Sequence, residues 1–356
     1  MAKHVLIAPI SGGHFPGQLA AMTKLSEQNY VPDLSLASSG GTVATYVSSA
    51  ANWRNPQINV ISGSLDYRLF IKSWLPIDLR FFPSPIAGIF FGALYKSSEL
   101  IAKFFYTFFT ADKIVKDEIW VAAINRRTGA VCLFCNRRRE TAVIKGNHYL
   151  PEMVKSEPLH YLNGDIELVS KSVMASSSIP VLVSPQTIGD NEYIDCGAKF
   201  ASPLIPLREE IRSLGENGLH IVYVNGYNLQ KDLRVNRECG NGEVCIDRQN
   251  IIQNGQSATD HIVRGLVIHD RVTAYGLIRE KGEVNVIYHS IDFLETIMEK
   301  REQISYSLLE IYPQECRVID VVSFTGNDVT EAISYAAKRL QLIFWWVGPA
   351  DLFADC

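Results

Sequence analysis

The stretch that most constrains the fold of this chain is a short apolar run that ends in serines and glycines. Residues 34–37 (Leu-Ser-Leu-Ala) have strand character, and residues 38–41 (Ser-Ser-Gly-Gly) lead without a loop into a run from Thr42 that can form a helix. A strand that turns this abruptly into a helix needs small residues at the corner. We therefore predict a strand-turn-helix corner with Ser39 at its tip.

Ser39 has the sequence surroundings of a nucleophilic serine. The frame 37–41 (Ala-Ser-Ser-Gly-Gly) differs by one residue from G-x-S-x-G, in which small flanking residues let a strained turn expose the hydroxyl. Serine and glycine clusters are also common in ordinary turns, so the motif alone leaves both interpretations open. Ser38 is the competing nucleophile, and Ser39 is favoured because it fits the frame better.

Composition indicates a globular protein with no affinity for nucleic acid. The 356 residues suffice for one large α/β domain or two ordinary ones, and the net charge is -4. Seven scattered cysteines and the lack of an apolar leader predict a reduced, cytoplasmic protein. The nearest approach to a membrane span, residues 81–95, is interrupted by Pro83 and Pro85, so no span is predicted.

A glycine-containing turn lies near the start of the chain. Residues 4–10 predict a buried strand, residues 11–17 (Ser-Gly-Gly-His-Phe-Pro-Gly) a turn and residues 18–27 a helix. Such a turn offers N–H groups and a helix N-terminus to a phosphate or to a developing oxyanion. In a right-handed βαβ unit, it lies beside the Ser39 corner at the carboxyl edge of the sheet.

The same turn has alternative interpretations. A dinucleotide-binding motif would need glycine at position 14, which is histidine, and the Gly-Lys-Ser/Thr of a Walker loop is absent. The Gly-Gly-His-x-x-Pro run is similar to the donor loop of some nucleotide-sugar glycosyltransferases, and this alternative stays open.

Residues 64–111 are unusually apolar and aromatic. The aromatic residues in this segment include Trp74, Phe81, Phe82, Phe90, Phe91, Tyr95, Phe104, Phe105, Tyr106, Phe108 and Phe109. An apolar segment too short to span a bilayer suits a lid over an apolar site or a surface that rests on a membrane. A pair of buried core helices explains the pattern at least as well, and only a lipid substrate would favour the first interpretation.

A hairpin is predicted where residues 119–124 and 131–136 flank an Arg-Arg-Thr-Gly turn. Cys132 and Cys135 stand three apart in its second strand, so they point to opposite faces, which argues against a metal knuckle or a redox pair. A zinc site completed by cysteines 239 and 245 is a weaker interpretation than separate buried and surface thiols.

Two further signals lie within residues 165–203. A predicted helix ends at residues 175–178 (Ala-Ser-Ser-Ser), directly before Ile-Pro. A hairpin turns at residues 189–191 (Gly-Asp-Asn), and Asp195 stands where its second strand ends. Cys-Gly-Ala follows the aspartate, and Pro203 lies several residues further on.

This order of motifs resembles the patatin-like phospholipases. The pattern here is an Ala-Ser-x-x-Ile-Pro helix end, a short hairpin and then Asp with Gly/Ala and Pro following. The glycine turn and the Ser39 corner precede them in the family's order, so the resemblance covers roughly residues 4–205. It implies an α/β protein with three α/β/α layers around a mostly parallel central sheet.

The resemblance also implies an acyl hydrolase with a Ser-Asp dyad and no histidine. Ser39 would attack the ester carbonyl and Asp195 would take its proton, while Gly12, Gly13 and His14 form the oxyanion hole. The glycines that support these motifs are Gly17, Gly41 and Gly197. No metal or cofactor is required. The implied partner is a phospholipid or other lipid ester at a membrane surface.

Some positions depart from the family pattern. His14 replaces the third loop glycine, and Pro16 stands where a basic residue usually balances a substrate phosphate. Cys196 replaces the glycine after the aspartate, which matters if that position needs a positive φ. Ala37 replaces the first corner glycine and is a mild change. These departures predict an altered substrate range, or a protein that keeps the fold with little activity.

The last part of the chain continues to alternate between strands and helices. Strands are predicted at 219–224, 283–289 and 317–323, and helices at 257–279 and 330–340. This alternation of strands and helices indicates a single domain that covers residues 1–356. Residues 206–356 complete its sheet, and residues 64–111 form an insertion in it. The apolar run 340–347 suits core docking, a partner or a membrane, of which core docking is the commonest.

Three functions remain in competition. The first is a lipid acyl hydrolase of the phospholipase A type. The second is a patatin-fold protein that binds lipid or a partner with little hydrolysis, and the third is the glycosyltransferase suggested by the Gly-Gly-His turn. Within the first class, His220 and His289 near predicted strand ends offer a histidine triad, although neither has a supporting motif.

Overall fold

Strands and helices alternate along the chain. The computed structural model describes residues 2–72, 93–137, 160–226, 228, 251–315, 317–319, 321 and 323–354. The strands are β1 (Lys3–Ala8), β2 (Leu34–Ala37), β3 (Ile71–Lys72), β4 (Ala93–Ser97), β5 (Ile119–Asn125), β6 (Val131–Cys135), β7 (His160–Tyr161), β8 (Val181–Val183), β9 (Gln186–Ile188), β10 (Asn191–Asp195), β11 (Leu219–Val224), β12 (Val284–Ser290), β13 (Tyr306–Pro313) and β14 (Leu340–Val347). The helices are α1 (Phe15–Glu27), α2 (Gly40–Ala50), α3 (Asn55–Ser62), α4 (Leu100–Phe108), α5 (Ala111–Lys116), α6 (Ile166–Ser177), α7 (Arg208–Leu214), α8 (Ile251–Arg279), α9 (Leu294–Lys300) and α10 (Gly326–Ala337).

A large sheet is formed by strands that pair successively in the path β12-β14-β13-β11-β1-β2-β5-β10-β9, with β6 also paired to β5 and β7 paired to β6. Both β2 and β10 pair with the edge of β5 that β6 leaves open. The central strands β13, β11, β1, β2 and β5 are parallel to one another, and antiparallel strands flank them on both sides. Strands β2, β5 and β11 are buried along their whole length, as expected of parallel strands covered on both faces. The predicted α/β class with a mostly parallel central sheet is confirmed.

Helices cover both faces of this sheet. Alternate residues of β1 point to opposite sides, so Leu6 belongs to one apolar core and Val5 to the other. On the Leu6 side the core includes residues of α1, α2, α6 and α10, and on the Val5 side it includes residues of α7 and α8. This arrangement is compatible with three α/β/α layers. Strands from the beginning and the end of the chain belong to the same sheet.

Most predicted elements lie close to the observed ones, and the clearest error concerns residues 317–323. The described residues of this segment form no strand. The N–H of Ile319 donates to the carbonyl oxygen of Gly13 at 3.1 Å. The buried strand is instead β13, and helix α10 begins at Gly326 because Thr325 and Asp328 form a capping box.

The two apolar segments that suggested membrane contact are at least partly buried. Helix α4 packs Ile101, Phe104 and Phe105 into the core, while residues 73–92 of the predicted lid lie outside the described residues. The run 340–347 is β14, an internal strand of the sheet, so core docking is confirmed for it. Within the ranges that the structure describes, no helix has the length and apolarity needed to cross a membrane.

Candidate active site

The corner between β2 and α2 has the strained geometry predicted for a nucleophilic serine. Strand β2 ends at Ala37 and helix α2 begins at Gly40, two residues earlier than predicted. Between them Ser39 has φ 52° and ψ −129°, a left-handed conformation that is rare for residues other than glycine. Such a backbone costs about 1–3 kcal/mol and persists only where the surrounding contacts stabilise it.

Glycine is needed after Ser39 because the corner packs directly against the first strand and its turn. A Cβ atom at position 41 would overlap the carbonyl oxygen of Ala8. A Cβ atom at position 40 would lie 2.6 Å from the Ser11 Oγ and 2.8 Å from the carbonyl oxygen of Gly12. The Ser39 corner and the glycine turn are therefore neighbours at the carboxyl edge of β1 and β2, as predicted.

The glycine turn after β1 is a short 3-10 helix, Gly12–His14. Gly12 has φ +49°, and a Cβ atom there would meet no other atom within 4 Å, so its backbone borders open space. The turn is tied down at its base, because Ser11 Oγ donates to Gln18 Oε1 at 2.7 Å and Gln18 Nε2 donates to the carbonyl oxygen of Pro9 at 2.8 Å.

The three residues predicted for the oxyanion hole differ in their surroundings. The backbone of Gly13 packs against Ile319, where a Cβ atom would overlap the Ile319 carbonyl oxygen, and Gly13 is not among the residues that line the cleft. Gly12 lines the cleft at Ser39, whereas the N–H of His14 donates to the carbonyl oxygen of Ser11 at 2.9 Å and is therefore engaged within the turn. Burial, with a smaller effect of Arg264, lowers the pKa of the His14 side chain to about 4, so the ring is neutral at pH 7.

The remaining motif positions of this turn belong to helix α1. Pro16 occupies the first turn of α1, where proline is favoured because its missing N–H has no intrahelical partner. Gly17 is a buried residue of the same helix and not part of a loop. The apolar ring of Pro16 provides no charge to balance a substrate phosphate.

Strand register brings Asp195 to Ser39. Strand β6 pairs with β5 along one edge of β5, so β2 and β10 share the other edge. Ala37 of β2 lies opposite Val121, and Asp195 of β10 lies opposite Ala123. The two strands run in opposite directions and end face to face, with their last residues roughly 7 Å apart at about 3.3 Å per residue. The Ser39 corner begins directly after the end of β2, and the Asp195 carboxyl group lies at the facing end of β10.

The carboxyl group of Asp195 is buried and held in place. It is 4% exposed, and its Oδ1 accepts the N–H of Gly197 at 2.7 Å. Burial raises the pKa of Asp195 to about 6, and hydrogen bonding by the Ser39 hydroxyl and the Gly197 N–H opposes part of this increase. A carboxylate with a pKa near 6 is a stronger base than an ordinary aspartate and is still ionised at pH 7.

The cysteine that follows Asp195 fits its position without strain. Cys196 is not among the residues with positive φ, so this position accepts a side chain. Its thiol is fully buried and belongs to the core on the Val5 side of the sheet. The departure from glycine at position 196 therefore leaves the backbone of the Asp195 turn intact.

Backbone donors beside Ser39 include one that the sequence did not single out. The N–H of Ser39 donates to Ser176 Oγ at 2.9 Å and is therefore occupied. The N–H groups of Gly41 and Thr42 donate to the carbonyl oxygens of Ser38 and Ser39. Gly40 is the first residue of α2, where an N–H has no intrahelical partner and the helix dipole is positive. Its N–H is an additional candidate for oxyanion binding.

An apolar cleft opens at Ser39. It contains about 530 Å³ of empty space, part of it open to solvent. Glycine residues 12 and 40 and two serines, Ser39 and Ser177, lie along its wall. The other lining residues in the described part of the chain are apolar: Phe15, Val43, Phe70, Ile71, Ile179, Leu182, Val183, Val321 and Phe324. These residues come from distant parts of the chain, so the cleft was not predicted.

The alternative catalytic residues lie elsewhere. Ser38 is fully buried next to Cys196 and does not line the cleft. His220 is the second residue of β11, beside His4 and Ser307, and thus at the amino edge of the parallel strands, opposite Ser39. His289 is in β12 at the far end of the sheet order. The alternative of a histidine triad built on His220 or His289 is therefore not supported.

Metal binding receives no support from the described part of the chain, where no group of three or more His, Cys, Asp or Glu side chains is placed to hold an ion. Cys132 and Cys135 belong to the cores on opposite faces of the sheet, which confirms their predicted orientation. Cysteines 239 and 245 lie outside the described residues.

Comparison of the chain with models of protein families and with curated proteins finds no match.

Proposed function

We propose that this protein is a lipid acyl hydrolase of the patatin-like, phospholipase A type, in which Ser39 is the nucleophile and Asp195 the general base. The observation that carries this proposal is the juxtaposition of a strained serine, a buried carboxyl group and an apolar cleft. The positive φ of Ser39, 52°, is uncommon for a residue other than glycine, and backbone strain of this kind is concentrated at functional sites. Asp195, with its pKa raised to about 6, interacts with the Ser39 hydroxyl.

The proposed reaction needs only these groups and water. Ser39 Oγ would attack the ester carbonyl carbon, and its proton would pass to the Asp195 carboxylate. The negative charge on the carbonyl oxygen would be stabilised by N–H groups of Gly12, Gly13 and Gly40. Asp195 would then return the proton to the leaving alcohol, and water would hydrolyse the acyl-enzyme by the same route in reverse.

The cleft supports an apolar acyl chain as the part of the substrate next to Ser39. Among the described residues that line it, apart from glycines 12 and 40, the polar ones are Ser39 and Ser177. Burial of a fatty acyl chain contributes about 0.8 kcal/mol per methylene group. A nucleotide sugar would instead need groups that bind a diphosphate, so the apolar wall favours the hydrolase over the glycosyltransferase.

Active-site labelling tests this proposal. We expect a fluorophosphonate probe to modify the folded wild-type protein at Ser39, because the probe reacts with a serine that is activated by a base and placed near oxyanion donors. The modified residue is identified by peptide mass spectrometry, and heat-denatured protein is the control. A folded protein that binds lipid vesicles but is not labelled, and releases no fatty acid, would be the lipid-binding alternative. Labelling of another serine would contradict the assignment of the nucleophile.

Filling the cleft is expected to change acyl-chain preference. Leu182→Trp places a larger ring in the cleft, so kcat/KM for a dodecanoyl ester should fall about 10-fold relative to that for a butyryl ester, the equivalent of roughly two buried methylene groups. The matched control is Val60→Trp on α3, which is 70% exposed and outside the cleft. The measurement is kcat/KM for p-nitrophenyl esters of increasing length. An unchanged chain-length profile in Leu182→Trp would place the acyl chain elsewhere.

A further inference from the structure

Three consecutive serines at the end of α6 connect the two halves of the candidate site. Ser176 and Ser177 are the last residues of α6, and Ser178 follows as its C-cap. The helix ends here because Pro180 disfavours a helical conformation of the residue before it. In the sequence this run marks only the end of a helix.

Each of these residues bonds to the backbone of Ser39 or of Asp195. Ser176 Oγ accepts the N–H of Ser39 at 2.9 Å, and Ser177 Oγ donates to the carbonyl oxygen of Ser39 at 3.4 Å. The carbonyl oxygen of Ser178 accepts the N–H of Asp195 at 3.0 Å. One turn of one helix therefore touches both peptide groups that flank Ser39 and the peptide group before Asp195.

The bond from Ser39 to Ser176 is buried and oriented. Ser176 is 0% exposed, and its Oγ also accepts the Thr42 hydroxyl at 3.3 Å. A serine hydroxyl has two acceptor sites, so both bonds can form at once. They tie the strained residue and the first turn of α2 to the same atom. A second consequence is that the N–H of Ser39 cannot serve the oxyanion, which leaves that role to the glycine N–H groups.

We propose that Ser176 is a positioning residue that holds Ser39 in its attacking conformation, and that the 176–178 run sets the distance between Ser39 and Asp195. This inference rests on the proposed function for its catalytic meaning, although the contacts themselves are independent of it. Without an acceptor for its N–H, the left-handed conformation of Ser39 loses a stabilising contact. The hydroxyl then spends less time within reach of the carboxyl group.

The helix offers a matched control for this test. Ser170 is also a buried serine of α6, but its hydroxyl donates to the carbonyl oxygen of Ile166 in its own helix at 2.7 Å. Ser176→Ala and Ser170→Ala both remove one buried hydroxyl from α6. Only the first removes a contact to Ser39.

Kinetics of the two variants separate positioning from general stability. We expect Ser176→Ala to lower kcat by about 10- to 100-fold with KM changed less than about 2-fold, because ground-state binding in the apolar cleft is not affected. Its pH-rate profile should also shift to higher pH, since the Ser39 hydroxyl that lowers the pKa of Asp195 is displaced. Ser170→Ala should keep the kcat and pH profile of the wild type.

Amide hydrogen exchange at Ser39 tests the same contact without relying on catalysis. The N–H of Ser39 should exchange at least about 10-fold faster in Ser176→Ala and at the wild-type rate in Ser170→Ala. An active wild type together with an unchanged kcat and unchanged exchange in Ser176→Ala would overturn the positioning role and leave the proposed hydrolase intact. An inactive, unlabelled wild type would overturn the hydrolase, while faster exchange in Ser176→Ala would still support the structural contact.

A second variant covers the case in which Ser176→Ala does not fold. Thr42→Val keeps the shape of a fully buried side chain and removes the hydroxyl that donates to Ser176 Oγ. We expect a smaller fall in kcat, about 2- to 5-fold, with the same unchanged KM and faster exchange at Ser39. Wild-type values of kcat and of exchange in Thr42→Val would count against the role of Ser176.

Discussion

Replacing Ser39 with alanine is expected to lower ester hydrolysis by about 10³-fold or more, and to abolish fluorophosphonate labelling. The reason is that the variant has no nucleophile, so that only the oxyanion donors and substrate binding remain to accelerate attack by water. The measurement is kcat/KM for a p-nitrophenyl ester and fatty-acid release from phospholipid vesicles, each compared with wild-type protein at equal concentration.

The variant should stay folded, which makes the loss interpretable. Ser39 lines the cleft, and the bonds that hold this residue to Ser176 and Ser177 use its backbone groups, which alanine retains. The matched control is Ser38→Ala, since Ser38 is buried away from the cleft. Hydrolysis that survives in Ser39→Ala and disappears in Ser38→Ala would identify Ser38, and not Ser39, as the nucleophile. Wild-type hydrolysis in both variants would exclude this corner as the source of the nucleophile.

Asp195→Asn is expected to have two opposite effects, a loss of hydrolysis by about 10²- to 10⁴-fold and a gain in stability at neutral pH. Hydrolysis is lost because an amide cannot accept the serine proton. In the wild type, the rate should rise with pH through about 6, as Asp195 ionises in the folded protein. The measurements are pH-rate profiles and denaturant unfolding between pH 3.5 and pH 8.

The stability effect follows from the direction of the pKa shift. Burial raises the pKa of Asp195 from 3.8 to about 6, so folding favours the protonated carboxyl group. The protonated Asp195 carboxyl group makes its full contribution to the stability of the wild type below about pH 4. This contribution is lost as the pH rises through about 6, because the buried group then ionises. This difference between the two pKa values corresponds to roughly 3 kcal/mol in the free energy of unfolding. Asparagine does not ionise, so Asp195→Asn should exceed wild type by roughly 2–3 kcal/mol above pH 7 and match it below pH 4.

A second buried carboxyl group provides the control for this prediction. Asp270 of α8 accepts bonds from Ser202 and Tyr223 on the Val5 side of the sheet, and burial raises its pKa to about 7. Asp270→Asn should also stabilise the protein above pH 7, but with hydrolysis retained. A stability gain without loss of hydrolysis in Asp195→Asn itself would remove Asp195 from the reaction.

Both predictions arise because stability and reactivity make opposite demands on the candidate site. A buried carboxylate and a left-handed serine each lower stability, and each would raise reactivity if the protein is a hydrolase. Neighbouring contacts offset part of this cost, notably the Gly197 N–H for Asp195 and the Ser176 hydroxyl for Ser39. Sites of this kind are where stabilising substitutions commonly reduce activity.

Much of the fold could be predicted because its signals are local. The bounds of β2 and β11 were predicted to the residue, since each is a short apolar run between residues that break strands. The error at residues 317–323 has a physical cause as well. An apolar run predicts burial, but it does not distinguish a strand from a loop that places one apolar side chain against a cleft, as this loop does with Val321.

The sequence by itself determined the strand-turn-helix corner at Ser39, the glycine turn beside it and the hairpin that ends at Asp195. Turn residues and hydrophobic periodicity are properties of neighbouring positions, so a single sequence carries them. Only the tertiary structure decided that Asp195 meets Ser39, because this depends on two strands pairing end to end along β5. The Ser39–Ser176 bond likewise joins residues 137 positions apart, and the cleft gathers side chains from several elements. Such contacts arise from packing and strand register, which local patterns do not specify.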